Sequence, residues 1–243
     1  MIDYLMVTMG DGWAADTLAK NIALAGVPRE ELSIAVFVNG PVEKHWLGLD
    51  VHILSDGTNH GFPVAANELL GSGKNYEIFL CDDDIVHQQN WMKHLRDARQ
   101  AVIASGRQVG FGAVPLTEWR DERDGLGPLV DIRGIKIRPR TVPIGGTRHI
   151  DRDVIEKIGY VCEGYFPCGG DDVEYCQRAA IAGLFNYHIE AVRSVHDHHP
   201  RDAAYTQAKQ EALARIAAVD KQRAIECNMG KLKWVPQREW IFQ

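Results

Sequence analysis

The sequence of 243 residues contains no run of about 18 apolar residues, so a membrane-spanning helix is not expected. Cysteine is sparse: Cys81, Cys162, Cys168, Cys176 and Cys227 include no C-x-x-C pair and are odd in number. Reduced thiols in a cytoplasmic-type protein are the simplest account of that pattern. Positive charge is in deficit, with 27 Lys and Arg against 33 Asp and Glu and a net charge of −6. General nucleic-acid binding is disfavoured, although a local basic groove is not. The start, "MIDYLMVTMGDG", lacks the basic segment and cleavage site of a leader and reads as a first strand. There is no H-E-x-x-H, no internal repeat and no clear linker. What remains has the composition of a soluble globular protein, one large domain or a core with a small appendage.

The first half alternates strand and helix signals. Tyr4–Thr8, Ser33–Val38, Val51–Leu54, Ile78–Cys81 and Val109–Val114 read as strands. Helices are predicted around Ala15–Ala25, Phe62–Leu70 and Trp91–Val102, where apolar residues recur at helical spacing. Such alternation predicts a mostly parallel sheet with helices on both faces, whose ligands bind beyond the C-terminal strand ends. That rim would carry Thr8, Asn39 and the carboxylates Asp82, Asp83 and Asp84. The second half is less regular. Pro115–Pro128 predicts a mobile loop, and "LVDIRGIKIRP" alternates like an exposed antiparallel hairpin. From Ile132 to Ile150 the charges are Arg133, Lys136, Arg138, Arg140 and Arg148, with no acid among them, read as a solvated face or an anion-facing flap. A short helix over Asp151–Tyr160, a helix begun at Asp171 and Asp172, and two strands over Leu184–Val195 follow. Beyond Asp202 a long helix and an aromatic tail are expected to pack on the body.

Three stretches carry chemistry. "FLCDDDIV" ends a buried-type strand in three like charges, a repulsion relieved by solvent or by a cation. "HDHHP" places three histidines within four residues after a strand. With no matched histidine pair elsewhere, a mixed carboxylate–histidine site for Mn²⁺ or Mg²⁺ on phosphates fits better than zinc. "GGDD" sets two carboxylates at a helix start: one is explained as a cap, and a partly enclosed Asp beside a metal–phosphate site suits a general base. "GDGWAA" matches a dinucleotide fingerprint, but the second strand ends in Asn39-Gly40 without the acid that a ribose hydroxyl needs.

Together these stretches resemble the GT-A glycosyltransferases, in particular the family 2 group that uses nucleoside-diphosphate sugars. The likeness spans about Tyr4 to Pro200. "CDDDIV" resembles the DxD element, and "NHGFPVAAN" resembles N-x-G-x(3)-A-x-N. "GTRHIDRDVIEKIGYV" resembles the segment ahead of the acceptor loop, and "GGDDVEYCQRAAIAG" resembles G-G-E-D-x-D-L-x(2)-R-x(4)-G. Two positions depart: Asn39 stands where an aspartate usually contacts the base, and Asp171 where a glutamate is familiar.

The resemblance implies a Rossmann-like α/β catalytic domain over 1–200, with a donor half over 1–114 and an acceptor half over 115–200, and a C-terminal helix and tail over 201–243. It implies Asp172 as base with Asp171 beside it. Thr8, Asn39, Asn59, Asn67, Asp82 and Asp83 would meet the donor. Asp84 and His196, with His198 as substitute, would hold Mn²⁺ or Mg²⁺. The implied activity is inverting, hexosyltransferase-like transfer from a UDP-sugar to an acceptor hydroxyl on a glycan, protein, small molecule or modified nucleic acid. The alternatives are nucleotidyl transfer or nucleotide-sugar hydrolysis on the same platform, a binding relative without chemistry, and a nicotinamide oxidoreductase.

Overall fold

A computed structural model describes residues 1–117, 127–143, 145–165 and 168–197, together with Gln207, Gln210 and Glu211. Most of the expected loop over Pro115–Pro128, His198, and nearly all of the expected C-terminal helix and tail lie outside the described residues.

The chain begins β1 (Ile2–Thr8), α1 (Gly12–Ala23), β2 (Leu32–Val38), β3 (His52–Leu54), α2 (Gly61–Ser72) and β4 (Glu77–Asp82). It continues β5 (Ile85–His87), α3 (Trp91–Ala104), β6 (Val109–Ala113), β7 (Val130–Ile132), β8 (Ile135–Pro139) and β9 (Thr147–Asp151). Then come α4 (Arg152–Ile158), α5 (Asp171–Ile181), β10 (Phe185–Ile189) and β11 (Ser194–His196). Nine strands form one sheet in the order β3-β2-β1-β4-β9-β6-β10-β8-β7, and β5 pairs with β11 in a separate two-stranded ribbon. β1, β2, β3 and β4 run parallel, as the alternating sequence predicts. β9 runs antiparallel to both β4 and β6, and the hairpin β7–β8 joins β10 antiparallel at the far edge.

The pleat sorts the core into two layers. Tyr4, Met6, Phe79 and Cys81 face one side with Leu18 of α1 and Trp91 and Leu95 of α3. Leu5, Val7, Ile78 and Leu80 face the other with Leu69 of α2, Val154 of α4 and Tyr175 of α5. A period of two in the strands against 3.6 in the helices thus accounts for apolar strands covered on both faces.

The strand β9 departs from the sequence reading. "TRHID" is too polar for a central strand, yet all five residues are buried. Each charge meets a partner far away in the chain. Arg99 holds Asp151 through two hydrogen bonds of 2.6 and 2.8 Å, and His149 Nε2 lies 2.9 Å from Glu77 Oε1 while its ring stacks on Phe79. Buried charges persist when paired and hydrogen-bonded. The short β5 was also unforeseen, since it follows the three aspartates with only Ile85 and Val86 as apolar residues.

Candidate active site at the strand ends

The parallel strands deliver their C-terminal ends to one rim, where a cleft of about 250 Å³ opens. Thr8, Asn39, Asn59, Asp82, Asp83, Asp84, Asp171, Asp172 and His196 all line it. Residues up to 188 positions apart therefore meet, because β1, β2 and β4 are neighbours, α5 begins at the same rim, and β11 pairs with β5.

The edge of the cleft beyond β1 and β2 is held by short polar ties. Thr8 Oγ1 accepts a hydrogen bond from Gly10 N at 3.0 Å, and Asn39 N donates to Thr8 O at 2.7 Å. Asn39 Oδ1 accepts from His60 N at 3.1 Å, and Asn59 Oδ1 accepts from Gly61 N at 2.9 Å, so both amides shape the start of α2. Asn67 stands elsewhere. Its amide is 3% exposed and is spent on Val161 N, Val161 O and Glu163 Oε1. The expected donor contact at Asn67 thus gives way to a structural tie between α2 and the loop after α4.

The ribbon β5–β11 brings the next pair together. His196 is opposite Ile85 in the antiparallel register, and Asp197 N donates to Asp84 O at 2.8 Å. His196 Nε2 consequently lies 3.1 Å from Asp84 Oδ2. Among the described residues no group of three or more His, Cys, Asp or Glu is placed to hold a metal ion. The two donors, one imidazole and one carboxylate, fit a divalent ion whose other ligands arrive on a substrate.

Arg148 sits at the floor of the cleft. The basic stretch around it does not form one surface: Arg138 bonds Glu190 at 2.7 Å, and Arg133 reaches the Ala104 carbonyl. Arg148 instead rises from the central strand β9, 7% exposed, with its guanidinium 5.2 Å from the Phe62 ring centroid. Its Nη1 is 3.6 Å from Asp82 Oδ1 and its Nη2 3.9 Å from Asp172 Oδ2. Neither approach is a hydrogen bond, and Nη1 and Asp82 Oδ1 are both buried without one. The cleft thus presents a buried donor and a buried acceptor side by side, an arrangement completed by a polar ligand or water. The sequence had marked Arg148 only as one member of the basic stretch; just ahead of it, Gly146 O accepts from Asp82 N at 2.7 Å.

The carboxylates differ in their surroundings. Burial pushes Asp82 up to about 7, with Asp84, Asp172 and Asp171 adding to the rise and Arg148 opposing it. Asp171 is also raised by burial, again opposed by Arg148, and its Oδ1 accepts from Gly169 N at 2.8 Å. That bond commits Asp171 to the turn before α5. Asp172 is more open than Asp171, with a quarter of its side chain exposed, and its Oδ1 accepts from Val173 N. Of the two, Asp172 has the carboxylate oxygen turned toward Arg148 and the cleft.

A sheet of this order, with helices on both faces and a carboxylate-lined cleft at its strand ends, is the GT-A glycosyltransferase fold. Similar solved structures include GalNAc-T7 with UDP, GalNAc and Mn²⁺, at 17% identity and a TM-score of 0.64, covering 81% of this chain and 43% of that one. The mannosyltransferase PcManGT from Pyrobaculum calidifontis, in complex with GDP-Man and Mn²⁺, matches at 14% identity and a TM-score of 0.62, covering 86% and 60%. TarS 1-349 of S. aureus in complex with UDP-GlcNAc matches at 14% and a TM-score of 0.57, covering 90% and 66%. The chain therefore spans less than two thirds of the length of each. No protein-family model and no curated sequence matches it. Among the described residues no helix is long and apolar enough to cross a membrane.

Proposed function

We propose that the protein is a metal-dependent inverting glycosyltransferase that moves a sugar from a nucleoside-diphosphate sugar, a UDP-sugar in the first instance, to an acceptor hydroxyl. One observation carries the reading: Asp82–Asp84, Asp172, His196 and Arg148 converge on one cleft at the strand ends of a GT-A fold. The structural neighbours solved with UDP or GDP-Man and Mn²⁺ support the choice of donor class.

Thr8, Asn39, Asn59 and Asp83 line the part of the cleft that receives the nucleoside, and Asp82 meets its ribose. Asp84 and His196 would hold a divalent cation, which would supply charge stabilisation for the departing diphosphate. Arg148 fixes Asp82 and Asp172 relative to each other across the floor, so that donor and acceptor sides keep one geometry. Asp172 takes the proton from the acceptor hydroxyl as its oxygen bonds to the anomeric carbon from the face opposite the leaving group. The bond from that carbon to the diphosphate oxygen breaks, its electron pair leaves with the diphosphate, and the configuration inverts. Asp171 holds the turn that presents Asp172.

The test is a thermal-shift panel of UDP, GDP, CDP, ADP and NAD, each with and without Mn²⁺. A ligand at a hundred times its Kd adds about 2.7 kcal/mol of stability. Stabilisation by one nucleoside diphosphate only with Mn²⁺ supports the reading; stabilisation by NAD without metal defeats it. Inversion is read separately, from the anomeric configuration of the product by NMR.

A further inference from the structure

Behind the Asp84–His196 pair lies a buried polar node that the reaction does not use. His87 is 3% exposed, at the end of β5 and directly opposite Ser194 of β11. Its Nδ1 lies 2.6 Å from Ser194 Oγ and its Nε2 2.8 Å from Thr147 Oγ1 on β9. Ser194 and Thr147 are fully buried. The ring stacks on Trp91 at 4.0 Å with an interplanar angle of 21°. From α1, Asn21 Oδ1 accepts from His87 N at 3.0 Å, and Asn21 Nδ2 donates to Ile85 O at 2.7 Å. One imidazole thus ties three segments: β5, which follows Asp84; β11, which ends in His196; and β9, in which Thr147 precedes Arg148.

We propose that His87 is a positioning residue for the metal-side pair, setting the spacing of Asp84 and His196 through its bonds to Ser194 and Thr147. This rests on the reading of the cleft as a metal-dependent donor site. The ribbon β5–β11 has only three pairs, Ser194–His87, Val195–Val86 and His196–Ile85. A two-stranded ribbon that short is marginal by itself. Backbone bonds from Ser194 N to Pro115 O and from Thr117 N to Ser194 O also hold β11, against the segment after β6, and His87 adds the side-chain tie that joins the ribbon to β9. A neutral imidazole can donate from one nitrogen and accept at the other, and both partners are hydroxyls able to play either part. Removing the ring's nitrogens leaves two buried hydroxyls without that partner and lets β11 shift against β9. Groups that orient metal ligands from behind typically change affinity by about 10- to 100-fold when lost.

The experiment compares the wild type with His87→Phe, which retains a ring against Trp91, His87→Gln, which retains hydrogen bonding, and Thr147→Val, which removes one hydroxyl at nearly constant volume. Binding of Mn²⁺ in the presence of saturating UDP is read by the electron-spin resonance of the free ion, on protein shown to be folded by circular dichroism. The expected result is about 10-fold or more loss of Mn²⁺ affinity in His87→Phe, a smaller loss in Thr147→Val, and substantial recovery in His87→Gln. Wild-type affinity in folded His87→Phe, or in folded Thr147→Val where His87→Phe does not fold, overturns the proposal while leaving the donor site intact. Equal loss in His87→Gln and His87→Phe overturns it too. Absence of Mn²⁺·UDP binding by the wild type defeats the donor-site reading itself, a result distinct from either.

Discussion

Lowering the pH from 7 to 5 is expected to cost the fold about 2 kcal/mol through His87 alone. Burial pushes this histidine down to about 3, and burial is the sole cause of the shift. In the unfolded chain the same group titrates near its ordinary value of about 6.5. The folded value lies below the unfolded one, so between the two the unfolded state binds the extra proton. Stability is complete above about pH 6.5 and is lost as the pH falls toward 3. One pH unit inside that window corresponds to about 1.4 kcal/mol. Over pH 7 to 5 the unfolded chain is protonated while the folded imidazole stays neutral, which gives about 2 kcal/mol.

The assay is urea denaturation of the wild type and His87→Gln at several pH values from 7.5 to 5. Other titrating groups, including Glu77 and the cleft carboxylates, are common to both proteins and cancel in the difference. The wild type should lose about 2 kcal/mol more than the variant over this range, with the slope steepening below about pH 6.5. A difference that stays level within about 0.5 kcal/mol would refute the argument, because a neutral buried imidazole must show this linkage.

Other outcomes follow from the same geometry. Gly146 has φ +68°, and a Cβ there would overlap Ile85 Cγ1 and lie 2.6 Å from Ile85 Cδ1. Gly146→Ala should therefore destabilise by about 2–4 kcal/mol in denaturant titrations and weaken nucleotide binding, since Gly146 O holds the Asp82 amide. Asp172→Asn should leave metal-dependent nucleotide binding unchanged and lower transfer by about 10²–10⁴-fold, measured as release of nucleoside diphosphate. Arg99→Met strands the buried Asp151 and should cost about 3–5 kcal/mol of stability while leaving nucleotide affinity near wild type, because the pair lies at the opposite end of β4 from the cleft.

The first half of the chain was legible because its signals are local. An apolar run covered on both faces, a helix at period 3.6 and an aspartate run just after a strand each announce themselves within a dozen residues. Once β1, β2 and β4 are taken as parallel neighbours, Thr8, Asn39 and Asp82 must share an end, and the cleft gathers them. Asn67 shows the limit of that inference. A motif match places an amide near the right helix, but the helix face decides whether it meets the cleft or the loop carrying Val161, and here it meets the loop.

β9 was illegible for a different reason. Strand character is read from side chains that match a buried environment, and Arg148, His149 and Asp151 match one only when Asp82, Glu77 and Arg99 are already in place. Those partners lie 52 to 72 residues away, so no window of sequence contains both members of a pair. The same dependence makes β9 the strand that ties the halves together. One face of its neighbourhood closes the ionic floor at Glu77 and Asp151, while its start carries Thr147 to His87 and Arg148 to the cleft. A strand chosen for apolar fit alone could be replaced by any other of like volume. A strand whose charges complete those of β4, α3 and α5 has one register that satisfies them, and that register is what puts a cation beneath the aspartates.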